Sequence, residues 1–181
     1  LPTGNLTDEI DRVTVTCMDV VMPIVIARAE AFGLSGYETA EELDANRAFY
    51  QRMEPIRRRA GLLMGMGDVS NSVVPKFAIL AAPREGGTIT ARYFMPLNCH
   101  PTMAVTGAQC LASCVLTPGT VAGGLATIPD GVPALVKIEH PSGSIDVTVD
   151  YETAADGFTL KSAGLLRTAR LLARGEVLVP A

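Results

Sequence analysis

The run Arg92-Tyr93-Phe94-Met95-Pro96-Leu97-Asn98-Cys99-His100-Pro101-Thr102 concentrates the residue types most able to do chemistry in this chain of 181 residues. It feeds polar groups into the stretch Pro101 to Val115, where Ala104, Val105, Ala108, Leu111, Ala112 and Val115 mark a helix with no charged side chain. The first amides of a helix lack intrahelical partners and carry the positive end of the macrodipole, so a helix start is a natural seat for a carboxylate. The amides from Asn98 to Thr102 are the expected cradle, with Pro101 in the first turn and Asn98 as a cap. Arg92 would clamp a second carboxylate if its strand ends near that start. Cys99, with His100 beside it, would there have a lowered thiol pKa and serve as base or nucleophile. The plain alternative is structural, with Asn98 a cap, Cys99 a small buried hydrophobe and His100 a turn residue.

Other polar residues fall where a site could be lined. Asp19 sits in a bend between two apolar strands, and Lys76 begins a strand just after the Ser70-Asn71-Ser72 loop. Each also has a bland explanation, Lys76 as a solvated strand end and Asp19 as a turn residue bonding its own backbone. Cys110 and Cys114 share a helix face without two further ligands for a metal, so they read as core. His140 falls in a hairpin turn, where solvent exposure is expected. Gly65-Met66-Gly67-Asp68-Val69-Ser70 follows a helix and lacks the third glycine of a dinucleotide fingerprint, and Gly119 to Gly124 fits no phosphate-loop spacing. No cofactor is expected.

The elements that position these residues follow from periodicity. Val13, Val15 and Cys17 alternate with Thr14, Thr16 and Met18, and Val20 to Ala27 continues apolar, giving two strands with a bend at Asp19 to Pro23. Gly33 to Gly36 makes a turn, and Thr39 with Glu42 fits a capping box at the start of a helix from Ala40. Asn46 and Arg47 interrupt its apolar stripe, and Pro55 is expected to kink or restart it before Ile56. Pro75 to Ala82 and Thr88 to Phe94 form a strand pair joined by a turn at Pro83 to Gly87. Val136 to Glu139 and Ile145 to Tyr151 form another around His140 to Gly143. Phe158 to Val179 supplies one or two further strands, with a turn at Arg174-Gly175. The summed expectation is α+β, an antiparallel barrel-like sheet wrapped around the central apolar helix.

Composition bounds the rest. At 48% hydrophobic the chain can bury a sizeable core, and one domain over residues 1–181 is expected. A net charge of -4 with no basic run beyond Arg57 to Arg59 disfavours nucleic acid and an acidic membrane surface. The longest apolar stretch, Val20 to Ala27, is broken by Pro23 and too short to span a bilayer, and no export signal precedes it. A cytoplasmic protein with free thiols at Cys17, Cys99, Cys110 and Cys114 follows. The opening Leu1-Pro2-Thr3-Gly4-Asn5, without an initiator methionine, suggests a segment of something longer.

Several of these motifs together resemble the second half of a known family. They are Pro2 to Asn5, Cys17-Met18-Asp19 followed by Gly33 to Gly36, Pro75-Lys76, Arg92 to His100 leading into Thr106-Gly107-Ala108, and the closing Arg167-Thr168-Ala169-Arg170. The family is that of methylaconitate isomerase and oxalomesaconate tautomerase, with the diaminopimelate-epimerase-like fold. The resemblance implies two similar halves enclosing an active-site cleft, with both central helices aimed at the substrate. It also implies a cofactor-independent proton shift in an unsaturated di- or tricarboxylate such as 4-oxalomesaconate or methylaconitate. The principal lysine and cysteine would lie in the missing N-terminal half. This chain would then bind substrate carboxylates, be inactive alone, and pair with that half, with a homodimer also compatible. Two rivals stay open, a non-catalytic ligand-binding or scaffold module, and an amino-acid racemase or epimerase using Cys99 as the second catalytic cysteine.

Overall fold

The computed structural model describes residues 1–154, 157–166 and 170–176. Its strands are β1 (Asp8–Ile10), β2 (Val13–Val20), β3 (Met22–Arg28), β4 (Lys76–Ala81), β5 (Ile89–Phe94), β6 (Ala134–His140), β7 (Gly143–Ala154) and β8 (Gly157–Gly164). The helices are α1 (Ala40–Ala45), α2 (Arg47–Leu63) and α3 (Val105–Leu116), with a 3-10 turn at Ala29–Phe32. The Arg167-Thr168-Ala169 motif and the far end of the last expected strand lie outside the described residues, and 170–176 hold no regular element.

All eight strands join one sheet in sequence order. The expected all-antiparallel pairing is corrected at two places, because β3 pairs with β4 and β5 with β6 in parallel. In each case the intervening segment contains helix, α1 and α2 in the first and α3 in the second, so the chain returns to the end it left. The sheet is also open, with no pairing of β1 with β8 among the described residues. On one face of the sheet α3 touches β2 and β3 as well as β6, β7 and β8. No helix among the described residues is long and apolar enough to cross a membrane.

Period-two alternation assigns the two faces. Ile24 and Ile26, Ala78 and Leu80, and Ile89, Ala91 and Tyr93 pack with α3. Val25 and Ala27, Phe77 and Ile79, and Phe94 pack instead with Leu43, Phe49, Met53 and Ile56 of α1 and α2. Thr90 and Arg92 share the second side, since they alternate with the α3-facing residues of β5.

Helix starts bear out the local chemistry. Thr39 and Glu42 make the reciprocal capping box of α1. The break in the helical stretch falls at Asn46, whose side chain accepts from the Phe49 amide at 3.0 Å and opens α2. Pro55 lies inside α2 without ending it, which corrects the expected restart.

Glu139 clasps the β4–β5 turn to β6. One carboxylate oxygen accepts from the amides of Glu85 (2.7 Å) and Gly87 (2.8 Å), the other from the Arg84 amide (2.8 Å) and the Thr90 hydroxyl (2.7 Å). Burial opposes its charge, yet these donors outweigh burial and hold its pKa below the ordinary 4.5. A depressed carboxylate pKa stabilises the fold above its unfolded value and loses that contribution as pH falls through the folded one. Glu139→Gln should therefore cost about 1.5–3 kcal/mol near neutral pH. In urea unfolding the gap between the two proteins should close as pH drops below 4.5.

Candidate functional site at the start of the buried helix

The apolar helix begins later than its sequence suggests. Its N-cap is Ala104, which offers no side-chain hydrogen bond, and its first turn holds no acidic residue. Asn98 is thus not its cap, and the amides from Asn98 to Thr102 are not its first amides. Met95 to Asn98 instead turn a tight hairpin, closed by the Met95 amide on the Asn98 carbonyl (2.9 Å), the Phe94–Cys99 bridge and the His100 amide on the Tyr93 carbonyl (2.7 Å). Pro96 and the polar tip made this segment look like a helix lead-in, whereas its backbone bonds are those of a strand turning back.

Cys99 is displaced accordingly. It is 2% exposed, and its amide donates to Asp44 at 2.6 Å. Burial, only partly offset by the Arg92 charge, pushes its thiol up to about 11, the reverse of the expected lowering. His100 is half-buried and accepts the Thr102 amide at 3.0 Å through Nδ1, while Thr102 is exposed. Arg92 also departs from expectation. It lies on the sheet face turned away from α3, and its Nε donates to the Glu38 carbonyl at 2.7 Å, so it cannot share one ligand with the first amides of α3.

The side chain that the fold does bring against that start is Tyr93, whose ring centroid also lies 6.3 Å from that of His100. Tyr93 lays its ring against Gly107, where an added Cβ would stand 2.6 Å from Cε2. Tyr93 pairs with Ala78, two residues from Lys76 on the same strand face, so Lys76 projects on the α3 side at the edge where β4 begins. Burial, then the charge of Arg57, lowers the pKa of this half-buried lysine. Next to it, across the β3–β4 pair, stands the tip of the β2–β3 hairpin. Asp19 pairs with Pro23 there and is exposed. Met22, Met95 and Ala104 are partly buried against the α3 core along the same rim.

The loop before Lys76 is self-bonded. The Ser70 amide donates to Asp68 at 2.9 Å and the Val74 amide to Ser72 at 3.1 Å, while Asn71 is exposed. The loop is held from beneath by Arg57, whose guanidinium donates to the Val69 and Pro75 carbonyls. Neither Arg57 nor Tyr93 was singled out from sequence. The signal available was Gly107, inside the Thr106-Gly107-Ala108 motif, as a mark of close approach.

The hairpin tip is strained. Val21 has φ of 67° and is 70% exposed, a left-handed conformation that β-branched residues avoid. Val21→Gly should raise the unfolding free energy by about 0.5–1 kcal/mol, the relieved strain less glycine's entropy. Thermal unfolding of the two proteins checks it.

Among the described residues no group of three or more His, Cys, Asp or Glu converges as metal ligands do. Chemically, this sheet face offers the first amides of α3, without a capping side chain, and one half-buried ammonium. Such a set suits an anion such as a carboxylate better than a neutral ligand.

Several known proteins are similar to this chain. The chain is 45% identical over 179 residues to the YbhH protein of Escherichia coli strain K12, covering 99% of this chain and 50% of that one. It is 44% identical to a 4-oxalomesaconate tautomerase of Pseudomonas putida, covering 99% and 48%. The crystal structure of a methylitaconate delta-isomerase superposes with a TM-score of 0.79 at 22% identity, over 92% of this chain and 49% of that one, and so shares the fold. The chain therefore spans about half the length of the relatives it matches. With the family model described as PrpF protein matching residues 1–180, the chain belongs to the PrpF family.

Proposed function

We propose that this chain is the substrate-binding half of a cofactor-independent isomerase. The whole protein moves a proton along the allylic system of an unsaturated di- or tricarboxylate such as 4-oxalomesaconate or methylaconitate, in the cytoplasm. The observation that carries this is the uncapped, charge-free start of α3, on the sheet face that Lys76 shares, in a chain whose relatives include an oxalomesaconate tautomerase. The amides of Val105, Thr106 and Gly107 receive one substrate carboxylate, and Lys76 steadies a second. Asp19 and the Ser70-Asn71-Ser72 loop border the opening. The other half of the longer protein supplies the lysine and cysteine that remove and return the proton. As the proton leaves a carbon next to the allylic system, charge spreads onto a carboxyl oxygen. The helix dipole favours that charge most where it is greatest, in the dienolate.

Mixing this chain with the complementary N-terminal half, supplying 4-oxalomesaconate in deuterated water and following exchange by NMR is the test. Deuterium at the allylic carbon only when both halves are present supports the proposal. Tight substrate binding without exchange would instead favour a non-catalytic binding module. Cys99→Ser distinguishes the racemase alternative. Its thiol is buried and precedes the α3 cap, so exchange should persist with weaker binding, and complete loss would return Cys99 to a catalytic role.

A further inference from the structure

A cavity of about 490 Å³ opens on the sheet face turned away from α3, between the β4–β5 turn and the β6–β7 hairpin. Arg92 lines it and is only 6% exposed. Two of its N–H groups donate to the carbonyls of Glu38 (2.7 Å) and Ala91 (3.1 Å), and a guanidinium has more donors than these bonds use. No ion pair to Arg92 occurs among the described residues. Glu38 and Glu139 favour its charge from a distance, but no carboxylate touches it, so its spare donors are left to an acceptor in the cavity.

The nearby carboxylates do not supply one. Glu139 is saturated by its three amides and one hydroxyl. Glu38 is engaged by the amides of Ser35 (2.7 Å) and Gly36 (2.9 Å) and the Ser35 hydroxyl (2.8 Å). Glu85 is exposed at the cavity wall. Opposite stand Lys137 and Arg84, the latter held over the Tyr37 ring at 3.3 Å. Burial, then the Arg92 charge, lowers the pKa of His140 at the same wall.

We propose that this cavity is an oxyanion site, in which Arg92 and Lys137 hold the phosphate or carboxylate group of a small molecule. Its volume suits a compact metabolite. Binding here does not depend on the allylic shift, because the occupant meets the face of β5 opposite α3.

Calorimetric titration of the full-length protein with inorganic phosphate and, separately, with succinate tests the site. Saturable binding with Kd on the order of 1–10 mM or tighter is expected for at least one anion. Phosphate alone identifies a tetrahedral oxyanion, succinate alone a carboxylate, and either supports the proposal. Arg92→Met should weaken binding at least about tenfold and Lys137→Met about fivefold. If Arg92→Met does not fold, the Lys137→Met change, at a half-buried position, carries the test. Absence of saturable heat for both anions, or unchanged affinity in Lys137→Met, overturns the proposal. Turnover is not read, so failure of the isomerase proposal would leave this result standing.

Discussion

Arg57→Ala should lower the unfolding free energy by about 3–5 kcal/mol, the largest single-residue loss expected in this chain. Arg57 is 1% exposed on α2 and makes two bonds to Glu54, at 2.6 and 2.8 Å. Its remaining donors reach the Val69 carbonyl at 3.1 Å and the Pro75 carbonyl at 3.2 Å. Removing the guanidinium leaves two buried carbonyls and one side of a carboxylate without partners, each in a region water reaches poorly. Arg57→Lys should recover only part of the loss, because a point ammonium cannot match the planar fork that serves all of these acceptors. Glu54→Gln should cost less than Arg57→Ala, since Glu54 keeps 16% exposure and its site can take up water. Urea unfolding of the three variants gives the order. Were Arg57→Ala to cost under about 1 kcal/mol, the bonds to the loop would not be holding it. Because Val69 also packs where a Cβ on Gly61 would stand, 2.7 Å from Cγ2, the same change should loosen the Ser70 to Ser72 loop and weaken substrate binding.

Gly107→Val should be the second large effect, a loss of about 1–3 kcal/mol from overpacking, together with reduced turnover in the reassembled enzyme. The Tyr93 ring is 1% exposed and stands 2.6 Å from the place a Cβ would take, so ring or helix must shift. A shift moves the first amides of α3, the groups proposed to meet the substrate. Tyr93→Leu in the same protein should restore much of the stability by making room, which a loss due merely to helix propensity would not show. Tyr93→Phe alone should be neutral or stabilising, because the hydroxyl is buried without a hydrogen-bond partner among the described residues. Thermal unfolding measures all three. A marked loss in Tyr93→Phe would mean that the hydroxyl has an acceptor in the full-length protein.

Much of the fold was legible because its signals are local. Alternation from Val13 to Ala27 gave β2 and β3. Thr39 with Glu42 gave the start of α1, and the charge-free run gave α3. Each rests on contacts between residues a few positions apart, which the chain specifies wherever it lies. The start of α3 was misplaced because Pro101 and Asn98 satisfy start rules that a hairpin turn also satisfies. Only the Phe94–Cys99 bridge distinguishes the two, and it is made across the turn.

The candidate site was legible in residue type more than in grouping. Lys76 and the helix start lie on one face, as the carboxylate argument needs, while Arg92 faces the other way because it is one residue from Tyr93 on a strand. That parity could be read from sequence once β5 was placed, but which face belongs to α3 could not. It depends on two helical crossovers packing on opposite sides of the sheet. Local pattern was thus enough for most of the elements, though not for β1 or the 3-10 turn at Ala29–Phe32, and for the buried character of the central helix and the family. The parallel pairings, the true first amides of α3, the raised thiol of Cys99 and the unpaired charge of Arg92 needed the assembled molecule. The start of α3 turns on a bridge across a short hairpin, and the other three arise from residues far apart in the chain, where neither burial nor hydrogen-bond partnership is defined until those residues meet.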